Sequence, residues 1–272
     1  SHLVEALVAD GHTVTVIDNL RSGHEKNLDS VKSKITFIKG DILDEKTLTA
    51  AMKGQEAVFH LAAIASVPYS VEHPLETHDV NTTGTLRVLL AARTAGVKKF
   101  VYSSTAAVYG DEPTLPKTEL SVLKPQTPYA LSKLAGEHYV RLFHTLYGMH
   151  TIALRYFNVY GPRQDPTSPY SGVITKFATL LKAGKQPVIF GDGMQTRDFV
   201  FVKDVVQANV KALASTHTGV FNIGTGVQAS INDLLAHLNE AFGTDIMARY
   251  EERKAGDIIH SVSDITTARK VL

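Results

Sequence analysis

Phe100-Val-Tyr-Ser-Ser-Thr105, followed after a loop by Pro128-Tyr-Ala-Leu-Ser-Lys133, decides the fold of this chain. The first stretch is apolar and then ends in three hydroxyl residues, which predicts a buried β-strand with a polar carboxyl end. The second stretch predicts the start of a helix, because Pro128 is a start signal and apolar residues recur behind it at helical spacing. Since residues four apart share a helix face, we expect Tyr129 and Lys133 to project side by side.

Together with the hydroxyl of Thr105, this pair predicts an acid–base site. A phenol has an unperturbed pKa of about 10 and is a poor base at neutral pH. An ammonium group held nearby favours the phenolate, which could then accept a proton from a substrate hydroxyl, with Thr105 bridging the two. A Tyr-x-x-x-Lys spacing taken alone also describes many solvated helix faces, so the interpretation depends on its context.

Length and composition narrow the class of protein. The 272 residues suit one large domain or two unequal ones, and a net charge of +1 without long charged blocks argues against a nucleic-acid partner. The absence of cysteine excludes disulfides and thiol nucleophiles, and the 12 histidines lack metal-ligand spacing, so we expect no metal site. No apolar run approaches the roughly 18 residues needed to cross a bilayer, and the N-terminal residues do not form a signal-peptide pattern, so we expect a cytoplasmic protein without a membrane partner.

The strand ending in Ser-Ser-Thr, the following Val108-Tyr-Gly110 and the Pro128–Lys133 motif resemble the extended short-chain dehydrogenase/reductase superfamily. Within it, they resemble the NAD-dependent UDP-hexose 4-epimerases. The resemblance implies an α/β fold, in which a Rossmann-like doubly wound parallel sheet with strand order 3-2-1-4-5-6 carries a smaller C-terminal α/β substrate-binding part. It covers nearly the whole chain.

The same resemblance implies a division of the chain. Residues 1–160 would form the NAD-binding domain, rejoined by about 199–228, and residues 161–198 and 229–272 would form the substrate-binding part. It also implies NAD as cofactor, a UDP-sugar as substrate and a homodimer, whose interface would contain the helix that follows Asn81 and the helix that begins at Tyr129.

The family's first strand and its Gly-x-x-Gly-x-x-Gly turn would precede Ser1. That turn places backbone amides against the cofactor pyrophosphate, and its strand lies in the middle of the sheet. We therefore expect the sequence to be incomplete at its N-terminus, because the two neighbouring strands would otherwise keep unpaired backbone groups. It also stops at Leu272, short of the family's usual closing segment.

Asp18 ends a short predicted strand, Thr13–Ile17, where a dinucleotide fold meets the adenosine ribose. A carboxylate there can bind the ribose diol and repels a 2′-phosphate, which favours NAD over NADP. A strand-end aspartate that starts a turn is the alternative interpretation, and Arg21 is the one residue that could argue for NADP. The cofactor contacts implied by the resemblance are Asp18, Asn19, Ser22, Gly23, Asp41, Ile42, Leu61, Ala62, Ala63, Asn81, Ser103, Ser104, Tyr129, Lys133 and Tyr156.

The residues after Thr105 separate the reactions of the family. Dehydratases carry an Asp-Glu pair there, whereas Ala106 and Ala107 have no proton to give. The resemblance therefore implies C4 epimerisation, in which Tyr129 would remove the 4-hydroxyl proton with the help of Thr105. Lys133 would hold the nicotinamide ribose and keep Tyr129 acidic, and the 4-keto sugar would turn over before it is reduced from the opposite face.

The substrate contacts implied by the resemblance are Ser66, Thr105, Asn158, Gln164, Gly172, Val173, Arg197, Lys254, Asp257 and Ser261. Arg197 suits a planar clamp on a diphosphate, with a surface salt bridge as the alternative. Lys254 stands where the family usually has arginine, so diphosphate binding would be weaker or shared with Arg253. Ser261 lies at a position that is bulky in enzymes confined to UDP-glucose and small in those that admit a 2-acetamido group. We expect activity on UDP-GlcNAc/UDP-GalNAc and also on UDP-glucose/UDP-galactose.

Two other functions remain open. A UDP-glucuronate decarboxylase or 4-epimerase would need a cation or hydroxyl aimed at the C6 carboxylate, and the sequence assigns none. A non-catalytic dinucleotide or nucleotide-sugar sensor of the same fold would not need Thr105, Tyr129 and Lys133 together, and all three are present.

Overall fold

The computed structural model describes residues 1–166, 172–253 and 258–272. The strands in these ranges are β1 (Val14–Asp18), β2 (Ile35–Lys39), β3 (Ala57–His60), β4 (Lys99–Thr105), β5 (His150–Tyr156), β6 (Asn158–Tyr160), β7 (Val188–Phe190), β8 (Thr196–Arg197), β9 (Phe199–Phe201), β10 (Gly219–Ile223), β11 (Ala229–Ser230) and β12 (Arg249–Glu251). The α-helices are α1 (His2–Ala9), α2 (Glu45–Met52), α3 (Val67–Glu72), α4 (Pro74–His78), α5 (Gly84–Thr94), α6 (Pro128–Tyr147), α7 (Val173–Lys182), α8 (Val202–Ala214), α9 (Ile231–Phe242) and α10 (Thr266–Val271).

The main parallel sheet consists of two pieces. Four strands pair in the order β10-β5-β4-β3, and β1 pairs with β2 separately. In the described part of the chain, no backbone pairing joins β1 to β3, the two strands between which the resemblance places the family's first strand. Outward from that point, β1 and β2 follow on one side and β3, β4 and β5 on the other, so the predicted α/β doubly wound fold is confirmed.

The four-stranded sheet is buried on both faces, as expected for parallel strands covered by helices. Phe100 and Tyr102 of β4 pack with residues of α2, α5 and α6, whereas Val101 faces the other side with residues of β5, β10 and α8. Side chains alternate along a strand, so one apolar run serves both cores. Full burial of one such side chain, Phe100 at 0% exposure, contributes about 2 to 3 kcal/mol.

Helix α6 is delimited by local sequence signals. The Thr127 hydroxyl accepts a hydrogen bond from the Ala130 amide at 3.2 Å, and Pro128 occupies the first turn, where its missing N–H costs nothing. Gly148 ends the helix in the left-handed conformation, with φ of 67°. These signals place Tyr129 and Lys133 at the start of α6.

Several predicted cofactor residues lie just beyond the regular strands and helices. The strand that begins at Ala57 ends at His60, so the three residues after it lie beyond the sheet. Asp41 lies in the turn after β2 rather than in the strand. Asn81 lies in a π-helical turn, Asp79–Thr83, that leads into α5.

A separate core supports the C-terminal part. Phe177 and Leu181 of α7 pack against Ile189 of β7 and Leu234 and Leu235 of α9. The capping box of Ser230 and Asp233 starts α9, because each side chain satisfies a backbone N–H of the other residue. No helix in the described ranges has the length and apolarity that a membrane crossing requires.

Candidate active site

Thr105 and Tyr129 meet at the carboxyl end of β4. Thr105 is the last residue of this strand, and its hydroxyl accepts a hydrogen bond from the Ala107 amide at 3.2 Å. Its side chain lies close enough to the Tyr129 phenol to lower the pKa of that phenol. Lys133, one turn along α6, is 4% exposed, and its Nζ lies 4.5 Å from the centroid of the Tyr102 ring. The structure therefore brings the predicted phenol and hydroxyl into contact and buries the lysine one helical turn away.

Burial shifts the pKa values of Tyr129 and Lys133 in opposite directions. Burial raises the pKa of Tyr129 above its ordinary value, and the hydrogen bond from Thr105 offsets this only in part. Burial also lowers the pKa of Lys133 to about 7, while the carboxylate of Glu137 opposes that shift. That Lys133 keeps the phenol acidic stays a prediction, and it applies to the protonated lysine, because desolvation disfavours the charge of the lysine as well as that of the phenolate.

Tyr102 lies beneath the helix and holds it close to the sheet. Its hydroxyl donates to the backbone carbonyl of Lys133 at 3.2 Å, and its ring supports the lysine ammonium. A Cβ at Gly136 would lie 2.1 Å from the Tyr102 hydroxyl oxygen, so only glycine fits there. This tyrosine precedes the Ser-Ser-Thr sequence, yet nothing in the sequence marked it as part of the site.

A buried ion pair, Glu137 with Arg155, lies behind the acid–base pair. The Arg155 guanidinium donates from Nε to one carboxylate oxygen at 2.9 Å and from Nη2 to the other at 2.7 Å. Arg155 also donates to the Tyr109 hydroxyl at 2.9 Å, and Ser104 donates to Glu137. Ser104 is 3% exposed and its hydroxyl is bonded to this carboxylate, so its predicted contact with the cofactor stays a prediction.

The predicted adenosine end is built around Asp18. This residue is exposed at the end of β1, and its carboxylate accepts the Leu20 amide at 2.7 Å. The Asn19 side chain donates to Asp41 at 2.9 Å, which joins the ends of β1 and β2. A Cβ at Gly23 would lie 3.1 Å from the Asp18 carboxylate, so glycine gives the loop its close approach. The neighbouring residue at 22, also predicted, is an exposed serine.

Asn81 fixes the loop that follows β3. Its side chain accepts the Ile64 amide at 2.7 Å and donates to the Ile64 carbonyl and to the Ser132 hydroxyl, both at 3.0 Å. Leu61 is 48% exposed, Ala62 is exposed and Ala63 is half-buried, so these three apolar residues are not part of the hydrophobic core. Asn81 therefore fixes this loop to α6, and its predicted contact with the cofactor stays a prediction.

Three further predicted cofactor residues are Ser103 in β4, Tyr156 at the end of β5 and Ile42 after β2. The Ser103 hydroxyl donates to the Tyr156 phenol at 3.2 Å, and Asn209 of α8, which the sequence did not indicate, donates to the same phenol at 2.8 Å. Ile42 is buried, and a Cβ at Gly84 would lie 2.7 Å from its side chain. Ile42 therefore packs against the start of α5 rather than facing solvent.

The residues present fit an NAD molecule. At one end of the site, the exposed carboxylate of Asp18 can bind a ribose diol. At the other end, beyond β3, lie the phenol of Tyr129 and the buried Lys133. Between them, Leu61 and Ala62 after β3 are exposed, and Asn81 fixes this loop through its hydrogen bond with the Ile64 amide. Asp18 and Asn19 would hold the adenosine ribose, and Tyr129 and Lys133 the nicotinamide ribose.

A cavity of about 260 Å³ joins three of the predicted substrate residues. Asn158, Val173 and Arg197 line it together with apolar residues that the sequence analysis did not single out, among them Phe177 and Phe190. Arg197 donates to the carbonyls of Thr196 at 2.9 Å and Ile259 at 3.4 Å, and it has further interactions. The cavity thus offers a guanidinium beside an apolar wall.

The other predicted substrate residues are placed as follows. Gln164 accepts a hydrogen bond from Thr175 of α7 at 2.6 Å, and a Cβ at Gly172 would lie 3.3 Å from its amide nitrogen. The Ser261 amide donates to the Thr196 carbonyl at 3.2 Å, which places this serine beside β8. Ser66 caps α3 by accepting the Tyr69 amide at 3.1 Å. Lys254 and Asp257 lie outside the described residues, and Arg253 packs against Gly191, 3.6 Å from an added Cβ.

Asp198 organises this region, although the sequence analysis did not identify it. Its buried carboxylate accepts hydrogen bonds from the Thr225 amide and hydroxyl at 2.8 and 2.7 Å, the Gly226 amide at 3.0 Å and the Ser263 amide at 3.0 Å. Its carbonyl accepts from the Asn158 amide and side chain. Its position directly after Arg197 was the available signal. Within the described residues, no group of three His, Asp or Glu side chains could hold a metal ion.

Comparisons with known proteins agree on one family. Residues 1–224 match the profile of the NAD dependent epimerase/dehydratase family. The chain is 43% identical over 277 residues to a UDP-glucose 4-epimerase of Mycolicibacterium smegmatis, covering 100% of this chain and 88% of that protein. It superimposes on a UDP-N-acetylglucosamine 4-epimerase from Methanobrevibacter ruminantium, in complex with UDP-N-acetylmuramic acid, with a TM-score of 0.96 and 42% identity, covering 99% and 86% of the two chains. A UDP-glucose 4-epimerase from Thermotoga maritima with UDP-glucose gives a TM-score of 0.94 at 39% identity, covering 99% and 87%.

Proposed function

Because this chain belongs to the NAD dependent epimerase/dehydratase family, as its motifs predicted, we propose that it inverts C4 of UDP-hexoses, both UDP-GlcNAc/UDP-GalNAc and UDP-glucose/UDP-galactose. The observation that carries this proposal is the contact of the Tyr129 phenol with Thr105, one helical turn from a buried Lys133. The family match confirms the predicted cofactor, NAD. When bound, NAD supplies the reversible two-electron oxidation of C4.

The residues of the chain then transfer one proton from the sugar and back. Thr105 orients the 4-hydroxyl of the sugar toward the Tyr129 oxygen, which takes its proton as C4 is oxidised. The same phenol returns the proton to the oxygen after the 4-keto sugar has presented its opposite face. Protonated Lys133 favours the phenolate, and the Tyr102 ring holds this lysine in place. Ala106 and Ala107 offer no group for the elimination of water, which favours epimerisation over dehydration.

We further propose that residues 1–160 with about 199–228 hold the cofactor, and that residues 161–198 and 229–272 hold the UDP-sugar. The cavity lined by Asn158, Val173 and Arg197 supports this division, because a guanidinium suits a diphosphate. Ser261 lies beside this region through its bond to the Thr196 carbonyl, and its small side chain leaves room for a 2-acetamido group.

The activity is tested by chromatography of UDP-sugars after incubation of the full-length chain with UDP-GlcNAc and, separately, with UDP-galactose. We expect conversion of each to its C4 epimer, and a loss of about a hundredfold or more in Tyr129→Phe. Tyr139→Phe, a change of the same kind in the same helix, is the control and should retain full activity. Absence of conversion with either substrate and added NAD would refute the proposal in favour of a uronate enzyme or a sensor.

The sugar preference is tested with Ser261→Tyr. A phenol at this position should abolish conversion of UDP-GlcNAc while UDP-galactose is still converted, because only the former must place a 2-acetamido group. Ser33→Tyr, on the exposed surface, serves as the control. A wild-type preference of about tenfold or more for the plain sugars, equivalent to about 1.4 kcal/mol, would contradict the assignment to N-acetylated sugars.

We propose a homodimer through the exposed faces of α5 and α6. Leu90 of α5 and Leu131, Leu142 and Leu146 of α6 are 39% to 64% exposed, and apolar side chains on adjacent helices favour association with a second copy. Sedimentation velocity should give a dimer for the wild type and a monomer for Leu142→Glu. Leu120→Glu, at a 95% exposed loop position, should remain dimeric. A wild-type monomer at micromolar concentration would refute this proposal.

A further inference from the structure

The guanidinium of Arg21 is held by two residues of the α3–α4 segment. Nη1 donates to the Glu76 carboxylate, and Nη2 donates to the Tyr69 hydroxyl at 2.7 Å. The Tyr69 ring also lies against the guanidinium, with Cζ 5.1 Å from the ring centroid, and its hydroxyl donates to the second oxygen of Glu76. Two edges and one face of the cation are therefore occupied.

The backbone places Arg21 in the loop that presents Asp18. The Leu20 amide bonds the Asp18 carboxylate, and the Arg21 amide bonds the Asn19 side chain at 3.0 Å, so this loop is fixed by its own hydrogen bonds. A cation in this loop is the group that a 2′-phosphate on the adenosine ribose would require. In this protein, that cation already has a carboxylate partner.

We propose that Glu76 is a cofactor-specificity residue, which disfavours NADP by engaging Arg21 and cancelling its charge. The inference rests on the proposed position of the adenosine ribose at Asp18. Asp18 repels a 2′-phosphate directly, and Glu76 neutralises the cation of the same loop that would offset this repulsion. Tyr69 strengthens the effect, because it binds both members of the ion pair. Both Arg21 and Glu76 are 44% exposed, so a ligand in solution could compete for the guanidinium once Glu76 is gone.

The test measures direct binding of NADH and NADPH, by their own fluorescence, to nucleotide-free full-length chain. The variants are Glu76→Ala, Arg21→Ala and the double variant. Glu72→Ala is the control, because it removes an equal charge from an exposed position in α3. We expect Glu76→Ala to bind NADPH about tenfold more tightly, the effect of one charge-assisted contact with phosphate, and to leave NADH within about twofold.

The double variant should return NADPH binding to the wild-type value, and Arg21→Ala alone should not change it. Unchanged NADPH binding in Glu76→Ala would overturn the inference. So would weaker NADPH binding in Arg21→Ala alone, because Arg21 would then already bind the phosphate in the wild type. Asp18→Ala separates the premise from the inference: if it leaves NADH binding unchanged, the position of the ribose is wrong, whatever Glu76 does.

Discussion

Replacement of Glu137 by glutamine tests whether the buried ion pair supports the acid–base site. The two Arg155 donors reach two different carboxylate oxygens, at 2.9 and 2.7 Å. A glutamine keeps only one acceptor there, and its NH₂ group would face either a guanidinium N–H or the Ser104 hydroxyl. Both members of the pair are about 4% exposed, so the arginine would keep its charge without water or a counterion. Breaking a buried pair in this way costs about 3 to 5 kcal/mol.

The free energy of unfolding from urea titration measures this cost. We expect Glu137→Gln to lose about 3 to 5 kcal/mol, whereas the double variant Glu137→Met with Arg155→Met should recover most of it, because no buried charge is left uncompensated. A loss below about 1 kcal/mol in the single variant, or an equal loss in the double variant, would refute the reasoning.

The same substitution has a kinetic consequence through Lys133. The pKa of this lysine is about 7 because burial lowers it and the Glu137 carboxylate raises it. Without that carboxylate the pKa falls further, so the alkaline limb of the pH profile of kcat/KM should move to lower pH. The assay uses a temperature at which circular dichroism shows the variant to be folded. A limb that stays in place or moves to higher pH would contradict the assigned influence of Glu137 on Lys133.

Two further predictions concern the packing around this site. Gly136→Ala should destabilise the protein by about 1 to 3 kcal/mol, because the new Cβ would lie 2.1 Å from the Tyr102 hydroxyl. Adding Tyr102→Phe should restore part of this loss. A melting temperature of Gly136→Ala equal to that of the wild type would contradict the prediction. His60 is buried, and burial lowers its pKa to about 3, whereas the unfolded chain binds that proton near pH 6.5. Between these pH values the unfolded state carries the extra proton, so the stability falls as the pH falls. Between pH 7 and 5, the free energy of unfolding of the wild type, measured by urea titration, should fall by about 2 kcal/mol more than that of His60→Gln. Equal losses in the two proteins would disprove this.

Much of the fold could be predicted because its signals are local. Pro128 and Gly148 mark the ends of α6, and the apolar run at the start of β4 shows a strand buried on both faces. The candidate acid–base residues could be predicted for the same reason, since two of them lie one helical turn apart.

The partners that adjust these groups could not be predicted, because they come from distant parts of the chain. Arg155 reaches Glu137 from the next strand, and Tyr102 reaches Gly136 across the helix–sheet interface. The sequence indicated that a lysine would favour the phenolate, but burial changes both groups and is a property of the packed core. Ser104 shows the same limit: alternation along β4 directs its hydroxyl into the ion pair.

The hydrogen bonds of Asp198 also bear on how long a folded molecule survives. Its carboxylate joins three segments, around residues 198, 225 and 263, that are far apart along the chain. Contacts between such distant segments require large loops to close and are made late in folding. Interactions absent from the transition state govern the unfolding rate rather than the folding rate. Asp198 therefore acts on the lifetime of the native state: without it, the chain should fold as fast but unfold sooner.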